Sequence, residues 1–150
     1  MDHVDRKILK CLKENSRQTA SAIGQAIHLS VSAVIERIRK LELKGIIQSY
    51  TVILDQKQLG NDLTAFVSVC LEHPKYSKAF AQAAAAYEDI AECHHIAGDM
   101  DYLMKIITDS SSSLELIHRD IKGMPGVSRM KTFYVLSTVK NEFSVLPREE

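Results

Sequence analysis

No stretch of this 150-residue chain approaches the roughly 20 consecutive apolar residues that a membrane-spanning helix needs. The opening Met1-Asp2-His3-Val4-Asp5 lacks a basic segment leading into an apolar one, so no secretory signal is expected. Cysteine is scarce. Cys11, Cys70 and Cys93 are odd in number, far apart and never in Cys-x-x-Cys spacing, which points to free thiols in a reducing cytoplasm. Gly-x-Gly-x-x-Gly, P-loop and Gly-x-Ser-x-Gly sequences are missing, so nothing suggests nucleotide or acyl chemistry. Net charge is missing too: 19 Lys and Arg balance 19 Asp and Glu, which taken alone speaks against a nucleic-acid binder.

That balance hides an asymmetry. Residues 1–50 carry nine basic residues against five acidic ones, a net +4, and the remaining hundred carry ten against fourteen, a net −4. One small module is thereby suited to a polyanion and the other to something else. A content of 45% apolar and 25% charged residues is ordinary for a globular chain, and the length allows one ordinary domain or two small ones.

In the basic part, Val4, Ile8, Cys11 and Leu12 share one helical face, with Asp2 and Asp5 at the start and Lys10 and Lys13 towards the end. Asn15-Ser16 breaks this helix. A shorter one is expected from about Thr19, as N-cap, to Ile27. After His28-Leu29-Ser30 a third runs to about Lys44, burying Val31, Val34, Ile38 and Leu41, with Gly45 as its C′ residue. Two helices joined by so short a link, the second one basic, form a helix-turn-helix pattern. Arg37, Lys40 and Lys44 are spaced i, i+3, i+7 and are expected on the side away from the core. Ser30, Ser32, Ala33 and Glu36 lie nearer the end that enters a major groove, where short polar side chains allow close approach. A three-helix bundle with a solvated charged face fits the same periodicity.

Tyr50 to Leu54 reads as a short linker strand and Asp55 to Asp62 as loop. Alternation from Leu63 to Leu71 predicts a strand, and Pro74 opens a helix through about Tyr87. Strands are expected over Ile90–Ala97 and Tyr102–Thr108. A helix follows, started by a Ser112/Glu115 capping box and stopped at Gly123, and then a strand from Val127 to about Val139. The order βαββαβ is a ferredoxin-like unit, a four-stranded antiparallel sheet with both helices on one face. The other face carries Phe66 and Cys70, and on the last strand either Met130/Tyr134/Leu136 or Phe133/Val135/Val139. That much apolar surface predicts packing against a second copy, giving a dimer at least.

The stretches Asp5-Arg6-Lys7-Ile8-Leu9, Leu29-Ser30-Val31-Ser32 and Glu36 to Glu42, continued by Gly45 to Tyr50, resemble the N-terminal domain of Lrp/AsnC (feast/famine) regulators. Ala97 to Leu103, Met124-Pro125-Gly126-Val127 and Lys131 to Leu136 resemble the family's ligand-sensing domain, so the likeness spans about Asp5 to Lys140. In two places the chain departs from the family. His28 stands at the turn position usually held by glycine, and Val31 replaces a common proline at the helix start. Histidine tolerates positive φ better than most residues. The resemblance implies an α+β architecture: a helix-turn-helix (winged-helix-like) domain over 1–48, a linker over 49–61 and a ferredoxin-like domain over 62–150. It further implies a cytoplasmic, non-enzymatic transcriptional regulator that binds double-stranded DNA, assembles as even homo-oligomers and needs no cofactor.

Gly98, Asp99, Asp101 and Tyr102 form the candidate sensor. Glycine admits a ligand to the backbone, exposed N–H groups hold a carboxylate, and an aspartate, Asp101 being the better placed, holds an ammonium group. These are the needs of an amino acid, the effector class the resemblance implies. A tight turn whose aspartates bond local N–H groups fits the same residues. Cys93-His94-His95 invites a metal, but adjacent strand residues point to opposite faces, so no metal is expected. A second function class remains, an enzyme on the same two-domain frame such as a sirohaem decarboxylase, in which histidines would serve a tetrapyrrole. The basic Arg37/Lys40/Lys44 stripe favours the regulator.

Overall fold

Helix ends in the first part of the chain lie where side chains satisfy the free backbone groups. The computed structural model describes residues 1–147. Helix α1 (His3–Glu14) starts at Asp2, whose carboxylate accepts the Asp5 N–H at 2.8 Å while Asp5 accepts that of Asp2 at 3.4 Å, a capping box. Helix α2 (Ala20–Ile27) starts on Thr19, whose Oγ1 accepts the Ala22 N–H at 3.1 Å. Helix α3 (Val31–Leu43) starts on Ser30 in the same way. It ends at Gly45, φ +68°, whose N–H donates to Glu42 while the Ile46 N–H donates to Leu41, both at 2.9 Å. This is a Schellman motif. Ile8, Ile23 and Val34, wholly buried, and Leu41 form the core of the three helices.

The link between α2 and α3 is tight for two reasons. His28 takes the left-handed conformation, φ 59° and ψ 49°, alone among the described non-glycine residues. Gly24 supplies space: the Leu29 N–H returns to its carbonyl at 2.9 Å, and a Cβ there would stand 2.6 Å from the Leu29 carbonyl oxygen.

In the second part, β1 (Leu63–Leu71) leads through a 3₁₀ turn (Pro74–Tyr76) into α4 (Ser77–Ala85). Strands β2 (Ile90–His95) and β3 (Tyr102–Thr108), α5 (Ser111–Lys122) and β4 (Val127–Tyr134) follow. The sheet is antiparallel throughout, in the order β2-β3-β1-β4, the ferredoxin-like arrangement. Val67 and Val69 of β1 and Tyr102, Met104 and Ile106 of β3 face α4 and α5, where they meet Phe80, Ala84, Ile117 and Ile121. Alternation sends Phe66, Cys70, Leu103 and Ile107 to the other face, with Phe133 paired to Phe66. Gly126, φ +74°, carries the chain into β4 past Tyr76, whose ring occupies the space a Cβ would need.

Several expectations are corrected. Tyr50–Leu54 forms no strand, because no described segment pairs with it. No wing strand follows α3 among the described residues. The first helix of the second part starts three residues after Pro74, behind the 3₁₀ turn. Helix α5 is capped by Ser110, which accepts the Ser113 N–H at 3.2 Å, so Ser112 lies inside the helix. Strand β2 stops at His95 and β4 at Tyr134. The partner β1 begins at Leu63, so after the Val135 N–H bonds Thr64 at 3.0 Å there is nothing left to pair with. Leu136 and Val139 therefore lie off the sheet, exposed. Of the two alternative sets, Met130 faces the helices and Phe133 the open side. The chain divides into two compact units, Met1–Ile53 with the tail from Lys140, and Leu54–Val139. By its contacts the segment from Lys140 groups with the first unit, where Glu142 pairs with Lys13.

The tight link makes opposite predictions for neighbouring substitutions. Gly24→Ala should lower stability by about 1–2 kcal/mol, the steric cost exceeding the gain in helix propensity. His28→Gly should raise it by up to about 1 kcal/mol by relieving the left-handed conformation. Urea unfolding of both variants is the check, and a stabilised Gly24→Ala would contradict the close approach.

Candidate nucleic-acid interface and effector loop

On α3 the inward stripe is Val34, Ile38 and Leu41. The opposite side presents Ser32, Ile35, Glu36 and Arg39, all exposed. Ser30, as N-cap, bonds the Ala33 N–H at 3.3 Å and the Ser32 hydroxyl at 3.2 Å, so it organises the first turn. Ala33 is half-buried on the flank of the helix. Glu36 and Lys40 pair at 2.6 Å, an exposed i,i+4 bridge that holds the Glu36 carboxyl below its ordinary range. Lys44 is exposed at the C-cap.

Arg37 is the correction. It does not line the side away from the core. Its Nη1 donates to Asp2 and to Asp5, each at 2.7 Å, binding α3 to the start of α1. A groove lined by Asp2, Asp5, Ala33, Arg37, Lys40 and Lys44 marks this flank. Asp2 is held down to about 2, first by the Asp5 N–H and then by Arg37. A helical repeat of 100° per residue puts Arg37 some 60° from Val34 and Arg39 about 140° from it. Ile35 and Arg39, absent from the sequence expectation, could have been found by measuring from the buried stripe instead of following positive charge.

The loop between β2 and β3 is tied to the end of β1. The Asp101 N–H donates to the Val69 carbonyl at 2.9 Å, and its Oδ2 accepts the Leu71 N–H at 2.7 Å. The carboxylate expected to hold an ammonium group thus serves the backbone of the next strand, where the β1–β4 register shifts between Cys70 and Leu71. Tyr102 is also corrected: it is 5% exposed, packs on Phe80, and bonds Ser77 through its hydroxyl, so its ring belongs to the core. Gly98, φ +133°, has nothing within 4 Å of where a Cβ would stand, and Asp99 is exposed. Across the loop lies Arg129 of β4, unforeseen in the sequence. Its Nη2 donates to the Asp99 carbonyl at 3.2 Å and lies 3.7 Å from Met100 Sδ. No carboxylate pairs with it among the described residues. Only the adjacency of β4 to β1 brings together groups 30 residues apart.

His94 and His95 lie on opposite faces. His94 shares the open face with Glu92, 3.4 Å away, and the His95 ring lies 5.0 Å from that of Tyr102 on the helix side. Burial pushes the Cys93 thiol up, which disfavours a thiolate there. Among the described residues no three His, Cys, Asp or Glu side chains are grouped to hold a metal.

A helix-turn-helix joined to a ferredoxin-like ligand-binding domain defines a two-domain, DNA-binding transcriptional regulator. Residues 1–42 match the AsnC-type helix-turn-helix domain, and residues 64–145 match the Lrp/AsnC ligand binding domain. The chain belongs to the Lrp/AsnC family. It is 34% identical over 143 residues to the leucine-responsive regulatory protein of Escherichia coli K12, covering 93% of this chain and 87% of that one. A transcriptional regulator from Neisseria meningitidis, solved as an L-Met complex, superposes with a TM-score of 0.93 at 26% identity, over 97% of this chain and 96% of the other. The feast or famine regulatory protein of M. tuberculosis, complexed with L-methionine, gives 0.90 at 27% identity, over 97% and 99%.

Two outcomes follow from these contacts. In the folded protein Asp2 should titrate near 2, below its ordinary value of 3.8. A depressed carboxylate stabilises the fold above its unfolded value, and that contribution is lost as pH falls through the folded one. Stability should therefore weaken between about pH 4 and pH 2, and Arg37→Ala should move the Asp2 midpoint part of the way back up, because the Asp5 N–H remains. Carboxyl NMR titration measures both, and an unmoved midpoint would break the link. Asp101→Ala should cost about 1–3 kcal/mol by leaving the Leu71 N–H unpaired, and Asp101→Asn far less, since an amide oxygen replaces the acceptor. Equal stability of the two in urea would remove the backbone role.

Proposed function

We propose that this regulator responds to a free amino acid held beside the Gly98–Tyr102 loop, works as a homodimer or larger even assembly in the cytoplasm, and catalyses no reaction. The observation that carries this reading is Arg129. A guanidinium that meets, among the described residues, a carbonyl and a thioether beside an uncrowded glycine is suited to the carboxylate of a ligand. Asp99, exposed in the same loop, is the better partner for the ammonium group, since Asp101 is engaged by Leu71. The two methionine-bound relatives support the ligand class. Naming of the curated relatives as regulatory proteins supports a role without catalysis.

The apolar open face supports self-association. Phe66, Cys70, Leu103, Ile107 and Phe133 share it, with Lys105 and Glu92 paired at 3.0 Å beside them. Burying such a face against its copy gains roughly 25 cal/mol per Å² of apolar area. The N-terminal end of α3, with Ser30, Ser32, Ala33 and Glu36, is assigned to the major groove, and Lys40 and Lys44 to phosphates.

Calorimetry of the full chain against the twenty common amino acids tests the ligand. Binding of at least one is expected, weakened by about 1.5–3 kcal/mol in Arg129→Ala, the scale of a charged hydrogen bond. Binding of none, or equal binding by the variant, would overturn the assignment. Sedimentation at micromolar concentration should give a dimer or larger, and Phe133→Glu should shift it towards monomer. A wild-type monomer would overturn the assembly.

A further inference from the structure

We propose that Ile35 is a specificity-determining residue that reads the methyl group of a thymine in the major groove. The inference rests on the DNA-binding reading of α3 and goes beyond it by naming one side chain and one chemical group.

Ile35 is 54% exposed in the middle of α3 and does not belong to the core of Ile8, Ile23, Val34 and Leu41 or to the residues packed on it. A β-branched side chain at a solvent-facing helix position helps neither helix formation nor solubility, so the fold does not account for it. Its neighbours do. Ser32, Ile35, Glu36 and Arg39 follow one another at i, i+3, i+4 and i+7, one stripe on the side of α3 away from Val34 and Leu41. Of the nearby cations, Arg37 is held by Asp2 and Asp5 on the flank and Lys40 pairs with Glu36, while Arg39 stays exposed at the end of the stripe. An aliphatic surface is left uncovered between a hydroxyl and a carboxylate.

The first fifty residues carry a net +4, which suits a duplex as the occupant of this stripe. Thymine presents the one apolar group on the floor of the major groove, and an aliphatic side chain gains by excluding water from it. The other bases present no methyl there, so Ile35 discriminates through that group.

The test selects a binding duplex from a randomised pool with the full-length wild type, then replaces each thymine in turn by deoxyuridine, which removes only the methyl. At one thymine per half-site the change should weaken wild-type binding by about 3- to 10-fold, the scale of one buried methyl or methylene on each side. The same change should alter binding by Ile35→Ala less than about 2-fold, since the coupled partner is gone. Ile35→Gln, which restores helix propensity and surface polarity without a branched apolar group, should behave like Ile35→Ala. Coupling at no thymine overturns the role of Ile35 and leaves the regulator standing. A pool that enriches no sequence overturns both. A change in sedimenting mass of Ile35→Ala without DNA would assign the side chain to a protein contact and likewise overturn the proposal.

Discussion

The end of β1 hangs on Asp101, whose N–H meets the Val69 carbonyl and whose carboxylate takes the Leu71 N–H. Those two bonds set where the β2–β3 loop lies. They carry Gly98 and Asp99 to the edge where β4 enters, within reach of Arg129. They also direct Tyr102 inward onto Phe80, so that β3 starts in register with its core face against the helices. An aspartate that looks like a ligand group is thereby the anchor of the loop. A buried or half-buried N–H left unpaired costs more than a typical hydrogen bond contributes, which is why the anchor takes precedence.

One-sidedness shapes the rest of that unit. Two helices cover one face of a four-stranded sheet, and Val67, Val69, Met104 and Ile106 are closed off from water there. The opposite face keeps Phe66, Leu103, Ile107 and Phe133, with Lys105 and Glu92 neutralising one another among them. Apolar area left on one side of a sheet and matched by none in the same unit is the physical reason self-association enters the functional reading.

The helix-turn-helix unit shows the same division of labour among charges. Asp2 and Asp5 cap α1, and they also bind Arg37, so one pair of carboxylates serves two helices. Drawing that guanidinium to the flank changes what α3 offers a groove. The outward stripe becomes Ser32, Ile35, Glu36 and Arg39, less basic and more varied than a row of cations.

Much of the fold was legible in the sequence, because periodicity and end signals are local. Thr19 and Gly45 mark helix ends, alternation marks β1, and His94 and His95 can be assigned to opposite faces without coordinates, whereas His28 stands out as a turn residue only through the family resemblance. The resemblance to Lrp/AsnC regulators was legible for the same reason, being carried by short motifs. Tertiary structure alone decided which charges were already taken. Arg37 meets carboxylates 32 and 35 residues away, Asp101 an amide 30 away, and Arg129 a carbonyl 30 away. Such pairs leave no trace in a pattern of period 2 or 3.6, because they arise only when separate elements pack and each buried or half-buried polar group finds the nearest partner.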